Sequence, residues 1–245
     1  MFQAQFRFYA QLNDFLPPDR RGLPFQHSFK ESASTKDMIE ALGVPHPEVD
    51  LILRHGETVD FSYLVHDGDR FSVYPTFQSI DIGTTSRVRP QPLPHLRFVL
   101  DIHLGKLATH LRLLGFDTAY RNDFADEALA QCAHEQQRIL LTRDRGLLKR
   151  SLVTHGYCLR STDPWEQLIE VLHRFDGLEK IAPFQRCLRC NGLLEAVDKA
   201  VVCDRLPPKT RQYYDEFHRC QTCHQLYWKG AHFERMQAFV NRIQQ

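Results

Sequence analysis

Two Cys-x-x-Cys pairs limit this chain more than any other feature. Cys187-Leu-Arg-Cys190 and Cys220-Gln-Thr-Cys223 are separated by 29 residues. Four thiolates in two such knuckles suit one tetrahedral zinc ion, closed to further ligands and hence structural rather than catalytic. A metal would supply stability that a tail of this size could not draw from its own core. A redox role for either pair is the alternative, and two matched pairs argue against it. Cys203 is offset from both pairs and reads as a free thiol, and His218 and His224 are surplus to a four-cysteine site. The N-terminus has no basic flank followed by an apolar core, and no window approaches the ~18 apolar residues of a membrane helix. A cytoplasmic, reducing location without a membrane partner is therefore expected, where metal sites and free thiols outnumber disulfides.

The net charge of +1 over 245 residues conceals a gradient: −5 over 1–86, +2 over 87–180 and +4 over 181–245. Residues 79–94 contain Gly83-Thr84-Thr85-Ser86 and then Pro90, Pro92 and Pro94, which interrupt helix and strand alike. The expected domains are 1–80, a linker at 81–94, 95–180 and 181–245. In the first, Phe2, Ala4, Phe6 and Phe8 alternate with polar residues in the period of a half-buried strand. Residues 24–29 suit a second strand. A helix capped by Ser34 or Thr35 runs to Leu42 and stops at Gly43. Residues 51–53 and 70–74 read as strands, with turns at His55-Gly56-Glu57 and Asp67-Gly68-Asp69.

The β-β-α-β-β order and the segment from Val65 to Pro75 resemble the ubiquitin-like β-grasp domains of the sulfur-carrier group. Such carriers end in an activated Gly-Gly. Here the chain continues past Tyr74-Pro75-Thr76-Phe77 and ends in Gln244-Gln245, which argues against a carrier or sulfur-relay role and favours a stabilising module or one that engages a protein partner.

Strands and helices alternate in the middle segment. Arg97 to Leu100 is apolar and ends in Asp101. Leu104, Leu107, Ala108, Leu111 and Leu114 follow at helical spacing up to Gly115. A strand at 116–120, a helix opened by Asp126-Glu127, a buried strand at 138–143 ending in Asp144, a strand at 157–159 and a helix from Pro164 to Arg174 complete it. Such alternation implies a parallel sheet whose sites lie beyond the carboxyl ends of the strands. Each acid taken alone reads as a helix cap. Together, Asp101, Asp126 and Asp144 suit a Mg²⁺ or Mn²⁺ site for phosphodiester hydrolysis. Lys106, Arg112, Arg143, Arg145, Lys149 and Arg150 can meet phosphates or serve as counter-charges, with Arg143 favoured by its place beside Asp144. His103 and His110 read as surface residues. There is no Gly-x-Ser-x-Gly elbow and no Gly-rich phosphate loop.

The run from Phe98 to Tyr120, then Asp126 to Ala133, then Arg138 to Arg150 closely resembles the Mut-seven C-terminal RNase family, a branch of the PIN-like nucleases. The tail segments around Cys187–Cys190 and from Phe217 to Met236, with Tyr227, Trp228, Gly230 and His232, resemble the same family's zinc ribbon. The resemblance implies a PIN-like parallel α/β nuclease domain followed by a four-cysteine zinc ribbon. It assigns Asp101, Asp126 and Asp144 to the catalytic metal and leaves a fourth acid open among Asp123, Glu127 and Asp163. RNA is the implied partner. The tail aromatics, set among Arg186, Arg189, Arg219, Lys229 and Arg235, would stack on unpaired bases or pack the tail against the nuclease domain. Tyr213, Tyr214 and Phe217 are expected to form the tail's small core. The competing reading is a non-catalytic RNA-binding adaptor with a degenerate fold.

Overall fold

The structure is a computed structural model and describes residues 1–77 and 85–243. Chain contacts divide it into two compact units, one of residues 1–94 with 125–159, the other of 95–124 with 160–245.

The first unit contains a five-stranded mixed sheet of β1 (Phe2–Phe8), β2 (Phe25–Phe29), β3 (Val49–Arg54), β4 (Glu57–Thr58) and β5 (Arg70–Pro75), in the order β2-β1-β5-β3-β4. β1 and β5 run parallel, and the other neighbours are antiparallel. This is the β-grasp order. The alternating residues of β1 bury Ala4, Phe6 and Phe8, and the Phe6 ring stacks on Phe71 at 4.9 Å. Helix α1 (Thr35–Ala41) starts at Ser34, whose hydroxyl receives the Asp37 N–H at 3.1 Å. The sequence reading missed β4 because it is only two residues long. His55 and Gly56 both have positive φ and form a two-residue hairpin loop that pairs Arg54 with Glu57.

The expected linker lies partly outside the described residues, at 81–84. Its described part carries no helix or strand from residue 86 to 94, as the prolines dictate, but it is not a free tether. Arg89 forms a two-pronged ion pair with the buried carboxylate of Asp50, at 2.7 Å through Nε.

The same unit holds α3 (Asp126–Glu135), β8 (Ile139–Thr142), α4 (Arg145–Leu148) and β9 (Gly156–Cys158), with β8 and β9 parallel. All four β8 residues are buried.

The second unit opens with β6 (Arg97–Leu100), α2 (Gly105–Leu113) and β7 (Asp117–Ala119), another parallel pair bridged by a helix. Helix α5 (Pro164–Arg174) follows, its N-terminus capped by the Asp163 carboxylate. The tail comprises β10 (Leu194–Val197), α6 (Lys199–Val202), α7 (Pro208–Tyr213), β11 (Phe217–Cys220), β12 (Leu226–Trp228) and α8 (Ala231–Ile243). Its three strands form an antiparallel sheet in the order β10-β11-β12. Phe217 packs with Val202, Leu206 and Leu226, and Tyr214 and Trp228 lie against them. Tyr213 does not belong to this core and is 69% exposed, because α7 turns its last residue away from Phe217. No helix among the described residues is long and apolar enough to cross a membrane.

Gly115 ends α2 with φ +95, and a Cβ there would lie 2.1 Å from the Ala182 carbonyl oxygen. That approach is stabilised by Ala182 N–H donating to the Leu114 carbonyl at 2.9 Å. We expect Gly115→Ala to cost about 3 kcal/mol or more. A shift in the midpoint of chemical denaturation measures it, and an unchanged midpoint would contradict this packing.

Candidate active site and metal centre

The two cysteine pairs fold as matched knuckles. In each, the N–H of the residue after the second cysteine donates to the carbonyl of the first: Asn191 to Cys187 at 2.9 Å, His224 to Cys220 at 3.0 Å. Asn191 and His224 both adopt positive φ, at 73° and 58°. The first cysteine's N–H then donates to the carbonyl two residues past the second, Cys187 to Gly192 and Cys220 to Gln225. Gly192 sits where the knuckles meet; a Cβ would be 2.9 Å from Cys220 Sγ and 2.5 Å from Thr222 Oγ1.

The result is that the sulfurs of Cys187, Cys190, Cys220 and Cys223 all lie within 4.8 Å of one another. Among the described residues no other group of three or more His, Cys, Asp or Glu side chains shares this closeness. Cys187 and Cys223 are 3.6 Å apart at sulfur, and Cys190 and Cys220 are 3.4 Å apart. A tetrahedral zinc with bonds of about 2.3 Å needs sulfurs roughly 3.8 Å apart, so the donor set fits that ion closely. Without a cation the thiols are unevenly disposed to ionise. Burial pushes Cys190 up to about 12. Burial also acts to raise Cys220, but the N–H groups of Cys223 and Thr222 overcome it and bring that thiol down to about 7. The Tyr227 hydroxyl donates to Cys187 Sγ at 3.1 Å and accepts the Leu188 N–H, a brace on the ligand from outside.

The sequence reading missed the groups that seat this centre. Arg112 was expected among the phosphate-contacting cations. Instead it is 3% exposed, and its guanidinium donates to the carbonyls of Thr118, Leu188 and Arg189 at 3.0, 3.0 and 3.1 Å. Burial disfavours its charge, while the Cys190 and Cys187 sulfurs beside it favour it. Asn191 bridges to β7 through Thr118 N–H and Asp117 Oδ1, and Arg186 donates to the Gly115 carbonyl at 3.1 Å. The one available signal was an arginine within the apolar run Leu111-Arg112-Leu113-Leu114.

The three acids are distributed over both units. Asp101 follows β6 in the second unit and is 8% exposed. Asp126 and Asp144 are in the first. Ala125, not Asp126, is the N-cap of α3, so the capping alternative does not account for Asp126, which lies in the first turn 3.9 Å from Arg150. Asp144 does cap: its Oδ1 receives the Gly146 N–H at 2.7 Å, while its own N–H donates to Thr142 Oγ1 at 2.9 Å. Of the acids left open, Asp163 caps α5 and Asp123 is gripped by Arg121 at 2.8 and 2.9 Å. Glu127 faces Arg150 at 3.7 Å alongside Asp126.

Lys106 and Arg143 are exposed, as phosphate contacts require. Arg145 and Lys149 are already engaged: Arg145 donates to the Phe15 carbonyl at 3.1 Å and Lys149 to that of Glu40. His110 is not the surface residue expected. Its ring lies 4.6 Å from that of Phe239, its Nδ1 is buried with no hydrogen-bond partner among the described residues, and burial lowers its pKa. In the tail, Arg219 pairs with Glu195 and Lys229 with Glu216, whereas Arg189 and Arg235 are exposed. Tyr227 and Trp228 line a cleft of about 180 Å³ with Phe184 and Phe233, and Arg186, His218 and Lys229 contribute to its walls.

The metal centre predicts about one zinc per chain by elemental analysis. Cys190→Ser should lower that content, and a strong chelator should unfold the ribbon, seen as lost near-UV signal from Trp228. A folded, metal-free preparation would contradict the assignment.

Comparison with known families extends these observations. Residues 96–240 match the Mut7-C RNAse domain, and residues 1–81 match the Mut7-C ubiquitin domain. No curated protein and no solved structure matches the chain. With the first of these profiles spanning more than half of its length, the chain belongs to the Mut7-C RNAse domain family, and it carries that family's ubiquitin-like domain ahead of the nuclease portion.

Proposed function

We propose that the chain is a metal-dependent ribonuclease that hydrolyses RNA phosphodiester bonds from a PIN-like nuclease domain at residues 95–180. One observation carries the finer reading. Each of the two parallel strand-helix-strand segments places an aspartate just past its first strand: Asp101 is the residue after β6, and Asp144 is the second residue after β8. These are the carboxyl-end positions where parallel sheets locate their chemistry. Asp126 opens the helix that leads into β8.

Asp101, Asp126 and Asp144 would hold Mg²⁺ or Mn²⁺, because carboxylate oxygens are the donors those ions prefer. Such an ion, when bound, supplies an activated water and neutralises charge developing on the phosphate. The chain's own contribution is placement. Thr142 Oγ1 and Gly146 N–H fix the turn that carries Asp144. Arg150 offsets the charge of Asp126 and Glu127. Among the described residues of the set expected from the sequence, Lys106 and Arg143 remain available to the RNA backbone, since Arg112, Arg145, Lys149 and Arg150 have partners within the chain. The zinc ribbon is structural, and its aromatic cleft with exposed Arg189 and Arg235 nearby in the tail supports a further role in holding unpaired RNA.

Replacing Asp101 and Asp144 by Asn should lower Mn²⁺-dependent cleavage of a fluorescent single-stranded RNA by about 100-fold or more, with zinc content and RNA binding retained. Undiminished cleavage would overturn the assignment. RNA binding by the unaltered protein without cleavage under any divalent ion would favour the adaptor reading instead.

A further inference from the structure

Charged side chains at three places join the ubiquitin-like domain to the segment that carries Asp144. Arg145, the residue after Asp144, donates to the Phe15 and Asp14 carbonyls at 3.1 and 3.4 Å, and its guanidinium lies 5.0 Å above the Phe15 ring. Phe15 is the last residue of a 3-10 helix, Ala10–Phe15, so these carbonyls belong to a helix C-terminus. Lys149, just past α4, donates to the Glu40 carbonyl in the last turn of α1. Both cations thus donate to carbonyls in the last turn of a helix, where the helix dipole favours positive charge. The third contact runs the other way. The buried Glu48 carboxylate accepts the Cys158 N–H at 2.6 Å, and Cys158 pairs with Thr142 in the register of β8 and β9. Thr142 is the residue whose hydroxyl receives the Asp144 N–H.

We propose that the ubiquitin-like domain is a brace for the acid-bearing turn, and that Arg145 and Lys149 are positioning residues that hold Asp144 at the end of β8. Helix α4 has four residues, too few to persist without tertiary support. Asp144 caps that helix, so fraying of α4 releases the carboxylate from its orientation. Contacts from the first domain fasten α4 on both sides of its single turn and fasten the neighbouring strand at Cys158. The domain therefore acts on the nuclease within one chain, which a detachable carrier would not do. The brace rests on the nuclease reading only for what Asp144 does once it is held.

The test uses the full-length protein in three forms: unaltered, Arg145→Ala with Lys149→Met, and the charge-preserving Arg145→Lys with Lys149→Arg. Hydrogen exchange over residues 143–149 should quicken roughly tenfold in the Ala/Met form, with exchange over 217–228 unchanged as the control for folding. The Mn²⁺ concentration for half-maximal RNA cleavage should rise about threefold or more in the same form and stay near its original value in the charge-preserving form. Lys149→Met alone, the milder lesion, should move both readouts in the same direction and serves if the double variant does not fold. Unchanged exchange over 143–149 would overturn the brace. Faster exchange with an unaltered Mn²⁺ requirement would overturn the positioning role. If cleavage proved insensitive to Asp144→Asn, the nuclease reading would fall, and the exchange comparison would still uphold or overturn the brace.

Discussion

Four sulfurs gathered within 4.8 Å of one another are the constraint on which the second unit depends. Such a cluster of ionisable thiols repels itself once charged, and a divalent cation resolves the repulsion. Such an ion would not place the tail by itself. Arg112 does that by reaching from α2 to the Leu188 and Arg189 carbonyls of the first knuckle, which also sets a buried positive charge beside the sulfurs. Asn191 and Arg186 complete the seat on β7 and on the Gly115 turn. A metal bound among the four sulfurs would therefore join knuckle, arginine and helix in one cooperative assembly. Loss of the metal should be felt in α2, the helix that directly follows the turn beginning at Asp101.

The first unit is organised by a different rule. Residues 125–159, which chain order assigns to the nuclease portion, share a compact unit with residues 1–94. Contacts between the two segments include charge-assisted bonds to helix C-terminal carbonyls and to a strand N–H, together with the Arg145–Phe15 ring contact. Charge-assisted bonds of this kind are directional and roughly twice as strong as neutral ones. They give a small β-grasp domain a mechanical role that its own sequence does not announce.

Much of this was legible from residue patterns. The alternation from Phe2 to Phe8 could be read because one sheet face is buried, and burial imposes period two. The knuckles could be read because metal geometry dictates spacing, and the places of Asp101 and Asp144 past β6 and β8 because apolar runs mark the strands that end just before them. What could not be read was decided by distant partners. Arg112 looked available to phosphate because its carbonyl acceptors at Leu188 and Arg189 lie 76 and 77 positions away. His110 looked exposed because Phe239 covers it from the final helix. Arg145 and Lys149 looked like an RNA-facing pair because nothing local indicates that Phe15 and Glu40 lie beside them. Tyr213 and Tyr214 are adjacent and chemically alike, and only the end of α7 between them determines which joins the core.

The central proposal is that Asp101, Asp126 and Asp144 serve one ion. Anomalous diffraction from a crystal soaked in Mn²⁺ examines it directly, since manganese scatters distinctively from zinc. The account predicts a manganese peak bonded to carboxylate oxygens of Asp101, Asp126 and Asp144 at roughly 2.0–2.3 Å, the range of a hard cation on such oxygens, together with a separate zinc peak among the four cysteines. Manganese absent from those aspartates, or bound only at unrelated surface acids, would contradict it.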